Sequence, residues 1–184
     1  GFGGMVSLGH AMYVMLGAYA VAIPATHGIA SGWTHLVIAI AATAALSLAV
    51  GAVALRTSGI AFIMITLAFA QMVYYLFVSA RAWGGDDGLP LAGRMTLAGF
   101  SLAGDRPLFF ASLAALTATM LLFGRLAQAR FGRTLQAIRE NETRMEALGY
   151  PVFRYRLVAF ALGGAVAGLA GALLANQGGF VSPS

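Results

Sequence analysis

No Asp, Glu, Lys or Arg occurs before Arg56. Fifty-five consecutive residues without a formal charge have no polar face to offer water and need a lipid surround. Over all 184 residues only 9% are charged and 60% are hydrophobic, against about 25% charged in an ordinary soluble domain. A hydrocarbon layer about 30 Å thick is crossed by roughly 20 apolar residues at about 1.5 Å rise each. The chain therefore has room for at most five or six crossings with their loops, and its fold class is all-α and membrane-integral.

The charges that do occur are 11 basic and 6 acidic. In a membrane chain this excess reads as a topology signal rather than as a nucleic-acid surface. Cysteine is absent, which removes disulfides, thiolate chemistry and Cys-held metals; no metal site is expected. Every basic residue is Arg, so neither the lysine of a phosphate-binding P-loop nor a Schiff-base lysine is present. Gly1 to Ile23 has no basic residue and does not read as a cleavable signal peptide. With no initiator Met and no polar tail, residues 1–184 look like one membrane domain cut from a longer chain.

Uncharged stretches give five spans: about 1–23, Leu36 to Leu55, Gly59 to Ala80, Leu108 to Gly124, and Leu157 to Ala175. The first, rich in Gly and holding Ser7 and His10, is the one expected to be broken or re-entrant. Pro24 to Trp33 reads as a loop with Trp33 at an interface. Arg56 to Gly59 reads as a tight turn, and Arg81 to Arg106 as a charge-balanced loop. The segment 125–156 holds seven Arg against three Glu. Short basic loops stay in the cytoplasm, which puts 125–156 and Arg56 inside and the loops at 24–33 and 81–106 outside.

None of the spans carries an Asp, Glu, Lys or Arg, although ion-coupled carriers commonly place such groups at membrane depth. The energy for uphill movement would then come from another polypeptide. The least expected polar residues in the spans are His10 and Gln71, and with Ser7 and Thr66 they are candidates to line a translocation path. Each can alternatively bond a neighbouring helix or its own preceding turn. Ser7 and His10 are three apart, which also raises an intramembrane serine hydrolase, but no G-x-S-x-G elbow surrounds Ser7. Gly164, Gly168 and Gly171 present a small surface for close helix packing. In the outer loop, Gly85, Asp86 and Asp87 are placed to meet a periplasmic partner or to shape a turn.

Within the inside segment, Leu135, Ile138, Met145 and Leu148 recur at helical spacings, and Glu140 and Arg144 form an i to i+4 pair. Thr143-x-x-Glu146 fits a capping box, Gly149 suits a left-handed helix end, and Pro151 blocks continuation. A stopped helix is expected around Glu142 to Leu148, with Met145 and Leu148 exposed and Glu142 and Glu146 free to pair with a partner's cations. A surface of anionic lipid would repel those two carboxylates; a protein groove fits better.

Several motifs occur in order: Ser7-Leu-Gly-His-Ala11, Leu16-Gly-Ala-Tyr19, Leu55-Arg-Thr-Ser-Gly-Ile60, Thr66-Leu-Ala-Phe-Ala-Gln71, Gly84-Gly-Asp-Asp-Gly-Leu89, the run Phe131 to Glu142, and Glu146-Ala-Leu-Gly-Tyr150. Together they resemble the LivM-type permease of branched-chain amino acid ABC transporters. The resemblance implies a heteromeric importer in the bacterial inner membrane. It would comprise this chain, a second homologous permease subunit, cytoplasmic ATP-binding subunits and a periplasmic substrate-binding protein, all but the last two classes lying in membrane lipid. ATP and Mg would sit in the ATP-binding subunits, leaving no cofactor in this chain and no nucleic acid among its partners. Residues 142–149 would couple to the ATPase through Glu142, Met145, Glu146, Ala147, Leu148 and Gly149, with Leu148 standing where the widely described motif has Ala. The substrates implied are branched-chain or related hydrophobic amino acids. A secondary carrier or channel for a small neutral or zwitterionic solute is the alternative.

Overall fold

The computed structural model describes residues 7–26, 31–80, 84–90, 96–97, 100–101 and 105–182. The readings made for residues 1–6, for 27–30 and for much of 81–104 lie outside them. Seven α-helices are described: α1 (His10–Thr26), α2 (Gly32–Ala54), α3 (Ile60–Ser79), α4 (Asp105–Gln128), α5 (Arg130–Glu140), α6 (Glu142–Ala147) and α7 (Val152–Gly178). Four two-residue strands accompany them: β1 (Leu89–Pro90), β2 (Thr96–Leu97), β3 (Phe100–Ser101) and β4 (Phe180–Val181). β1 pairs with β4 and β2 with β3, both antiparallel.

Among the described residues, four helices are long and apolar enough to cross a membrane, and α1 is a shorter apolar helix. Its 17 residues reach about 25 Å at about 1.5 Å per residue. The helix begins at His10 because the preceding turn closes on itself: the Gly9 N–H donates to Ser7 Oγ at 3.2 Å, and the Met12 N–H donates to the Gly9 carbonyl. It then continues through Pro24 to Thr26, so Pro24 belongs to a helix end rather than to the loop.

α2, α4 and α7 also outrun their apolar windows, whereas α3 stays within its own. α2 starts at Gly32, its first turn gathered on the Ser31 carbonyl by the His35 N–H and the Thr34 hydroxyl. α7 starts at Val152 rather than Leu157, because Val152 is buried against Ile138 and Met145. Charged residues end an apolar run without ending a helix. The 125–156 segment is accordingly mostly helical, comprising the end of α4, then α5, α6 and the first turn of α7.

The core is a three-helix unit of α1, α2 and α7, with α3 packed against both α1 and α2. Ala54, Leu55, Phe62 and Phe160 share one buried cluster, so the Arg56 turn and the start of α7 stand at the same end of the bundle. Phe77, Ala175, Val181 and Leu89 gather at the other. α4 is peripheral: Phe110 is 65% exposed and Met120 69%, a surface suited to lipid or to another membrane helix. Between α4 and α7 runs a groove of about 300 Å³ lined by Ser112, Leu116, Thr119, Leu169, Leu173 and Gln177, among others.

Candidate functional site

The stopped helix at the basic end is built residue by residue. α5 buries Gly132, Leu135 and Ile138 on one face. Asn141 then turns extended, with φ −154° and ψ 96°, and its side-chain oxygen accepts the Arg144 N–H at 2.9 Å. Asn141 is thus the N-cap of α6, not Thr143. A short polar side chain ahead of a helix offers the first amides the partner they lack, and Asn141 stands one position before α6 where Thr143 is already inside it. The same break puts Glu140 and Arg144 on different helices, which removes the expected i to i+4 pair.

The far end of α6 is closed in both of its unsatisfied registers. The Gly149 N–H donates to the Glu146 carbonyl at 2.9 Å and the Tyr150 N–H to the Met145 carbonyl at 3.1 Å. Gly149 has φ +81°, the left-handed conformation that this paired closure requires. One of the expected outward side chains is buried, and another, though exposed, is already paired. Met145 is buried against Ile138 and Val152, because the turn at Asn141 swings the apolar side of α6 inward. Glu142 is engaged within the chain: Arg156 Nη2 donates to its Oε2 at 2.8 Å, while Nη1 meets Oε1. Thr143, Arg144, Glu146 and Ala147 of α6 and the following Leu148 and Gly149 are exposed.

α2 and α7 meet along a ladder of four-residue steps. A Cβ on Gly164 would lie 2.6 Å from Ser47 Oγ, and one on Gly168 would run into the Thr43 side chain. A Cβ on Gly51 would lie 2.9 Å from Phe160 Cδ1, and Ala39 and Ala172 share a buried cluster. The rungs 51 with 160, 47 with 164, 43 with 168 and 39 with 172 are those of antiparallel helices in close approach. Ser47 Oγ donates to the Phe160 carbonyl at 3.0 Å, tying the two helices with a buried hydrogen bond. On its other side α7 receives α1: Gly17 lies on the Gly168 backbone and Gly171 on the Val14 backbone. Thr43, Ser47 and Gly51 went unnoticed in the sequence, although their spacing of four is the same small-residue signal that singled out Gly164 and Gly168.

The candidate path residues are not gathered at one point. His10 is exposed and sits edge-on to Tyr13 and Phe160, with ring centroids 6.1 and 6.5 Å away. Its Nδ1 stands 3.3 Å from the Ser7 carbonyl, so Nδ1 is the nitrogen that donates in that contact. Ser7 Oγ is occupied by the Gly9 N–H, and the pair does not form a hydroxyl-to-imidazole dyad. Thr66 is fully buried, donates to its own Ile63 carbonyl at 2.9 Å, and lies where a Cβ on Gly9 would touch its backbone. Gln71 is exposed on α3. Tyr13, fully buried, turns its hydroxyl toward Ser47 but without a hydrogen bond of good geometry.

At the opposite end, residues 84–88 wrap into a tight turn. Gly84, Gly85 and Gly88 have φ of 86°, 54° and 75°, which only glycine adopts without strain. The Gly85 N–H donates to the Ala80 carbonyl at 3.2 Å, seating the turn on the end of α3. Gly85 is buried and Asp87 exposed; the Asp86 side chain is outside the described residues. The turn delivers Leu89 and Pro90 to Val181 and Phe180.

Apolar helices meeting through small residues, with all three Glu and most of the Arg at one end, define a multi-pass α-helical protein of the inner membrane. The family model for the branched-chain amino acid transport system / permease component matches residues 1–184, and the chain belongs to that family. It is 30% identical, over 207 aligned positions and its whole length, to the high-affinity branched-chain amino acid transport system permease protein LivM of Salmonella typhimurium and to that of Escherichia coli. The alignment takes in 49% of each of those proteins, so the chain spans about half their length. A probable LivM of Methanocaldococcus jannaschii is 42% identical over 53 residues, 29% of this chain and 15% of that protein. No solved structure shows a significant match.

Proposed function

We infer that this chain forms the membrane part of a permease subunit of an ATP-driven importer for branched-chain or related hydrophobic amino acids. The observation that carries the reading is α6. It is a helix capped at both ends, anchored inward by Met145 and Glu142, and open outward at Glu146, Ala147 and Leu148. Such a surface on the basic, cytoplasmic side suits a groove on an ATP-binding subunit, where Leu148 would be an apolar anchor and Glu146 a charge partner. The apolar stretches of the spans offer no acidic or basic group at membrane depth to bind a driving ion, so the work would come from that subunit, which would hold ATP and Mg.

The remaining partners follow from the same reading: a second homologous permease subunit to complete the path, and a periplasmic binding protein to deliver solute. This chain would perform no covalent step. Its task is to favour inward- or outward-open packing as the ATPase pair closes and opens, a population shift set by differential contacts. The test is uptake of labelled leucine by vesicles carrying the full-length permease with its ATPase and binding protein. Uptake should require ATP and survive collapse of ion gradients. Uptake that is indifferent to ATP and follows an ion gradient would move the protein to the secondary carriers.

A further inference from the structure

We propose that the β1–β4 pairing is the outer gate of the solute path, closed in this structure, and that Tyr19 beneath it is the first polar group an incoming apolar amino acid meets. The proposal rests on the importer reading above and adds the site at which solute is admitted.

Two independent observations carry it. The first is the closure itself. Leu89 pairs with Val181 and Pro90 with Phe180, joining the segment after α3 to the segment after α7. Gly88 lies so close beneath that a Cβ there would be 2.5 Å from the Val181 carbonyl. Under this strap the ends of α1, α3 and α7 are sealed: Ala22, Phe77, Ala175 and Val181 are each 4% exposed or less. A two-residue ladder holds few hydrogen bonds and separates at low cost. Its parts hang from different helices, so relative movement of α3 and α7 would pull it open.

The second observation is Tyr19. It is fully buried, its ring stacks on Phe77 with centroids 4.4 Å apart, and its hydroxyl has no hydrogen-bond partner. A buried hydroxyl left unpaired favours any state that gives it water or a ligand. The closed strap is therefore biased toward opening from within. Once open, it presents one hydroxyl among aliphatic and aromatic side chains. That combination suits a small amino acid, its apolar side chain against Phe77 and Val181 and a polar group on the hydroxyl.

The chain lacks cysteine, so introduced thiols report cleanly. Pro90→Cys with Phe180→Cys, a register pair whose Cα spacing a disulfide can bridge, should reduce leucine uptake about tenfold or more on oxidation. Reductant should restore it, and either single variant should be insensitive. In a second arm, Ala22→Cys should react slowly with an impermeant maleimide applied from outside. Adding Tyr19→Phe, which removes the unpaired hydroxyl from the closed state, should slow that reaction about fivefold. A fully bridged protein that imports at the unbridged rate overturns the gate, as does labelling that Tyr19→Phe leaves unchanged or accelerates. If the complex without substitutions imports no amino acid, the importer reading fails while the labelling arm still decides the gate.

Discussion

Arg156 grips Glu142 with both terminal nitrogens, Nη1 on Oε1 and Nη2 on Oε2, across 14 residues of sequence. The pair joins the first residue of α6 to the first turns of α7. Together with Met145 on Val152, it makes α6 and the start of α7 one body. A push on α6 would reach α7, and through the glycine seats α1 and α2, without a flexible joint between.

Glu142→Arg should therefore weaken coupling more than folding. The Glu142 side chain is 45% exposed, and such a pair contributes about 1 kcal/mol at most. Import per ATP hydrolysed should fall about threefold to fivefold with normal membrane yield. Glu142→Arg combined with Arg156→Glu should regain most of it. Failure of the exchange to rescue would show that Glu142 acts toward a partner and not toward Arg156.

Gly149→Val should misdirect the end of α6. The left-handed conformation costs a residue bearing a Cβ about 1–2 kcal/mol, and more for a branched one, although nothing lies within 4 Å to clash. Gly149→Asn, which tolerates that conformation, should behave almost as the parent. Co-purification of the ATP-binding subunit measures the difference; equal retention by both variants would remove the geometry from the explanation.

Met145 and Leu148 separate anchoring from docking. Met145→Ala empties part of a buried cluster and should lower thermal stability of the end that holds α5 and α6. Leu148→Asp, at a site 62% exposed, should leave stability unchanged and cut ATPase co-purification. Thermal unfolding monitored beside pull-down would reveal a reversed pattern if α6 packed the other way round.

Gly168→Leu should abolish assembly of α1, α2 and α7, because the Thr43 side chain occupies the space a side chain needs, while Gly17 of α1 is seated on the Gly168 backbone. Gly163→Ala is the matched control, its nearest neighbour being His10 Nε2 at an ordinary 3.6 Å. Monodisperse yield in mild detergent is the readout, and a well-behaved Gly168→Leu protein would disprove the ladder.

Much of this was legible from charge placement alone. The charge-free runs located every long helix, and Gly149 with Pro151 located the end of α6. What the sequence hid was where polar segments continue a helix: Arg154 and Arg156 end the hydropathy signal while Val152 and Tyr155 keep α7 packed. Met145 was misjudged because helical spacing shows that residues share a face without showing which way the face turns, and Asn141 turns it. Half of the glycine ladder was visible in α7. Its seats in α2 were concealed because Thr43 and Ser47 look polar in composition and act here as small residues.

The rungs between α2 and α7 also make helix length a quantised property. One residue inserted between Gly164 and Gly168 would rotate everything beyond it by about 100°, carrying Gly171 and Ala175 away from α1 and dragging Phe180 and Val181 out from under Leu89. No compensating twist is available while Thr43 and Gly17 hold Gly168 from two sides. Insertions and deletions should therefore be confined to the connections, and α7 should behave as a ruler whose divisions cannot be altered one at a time.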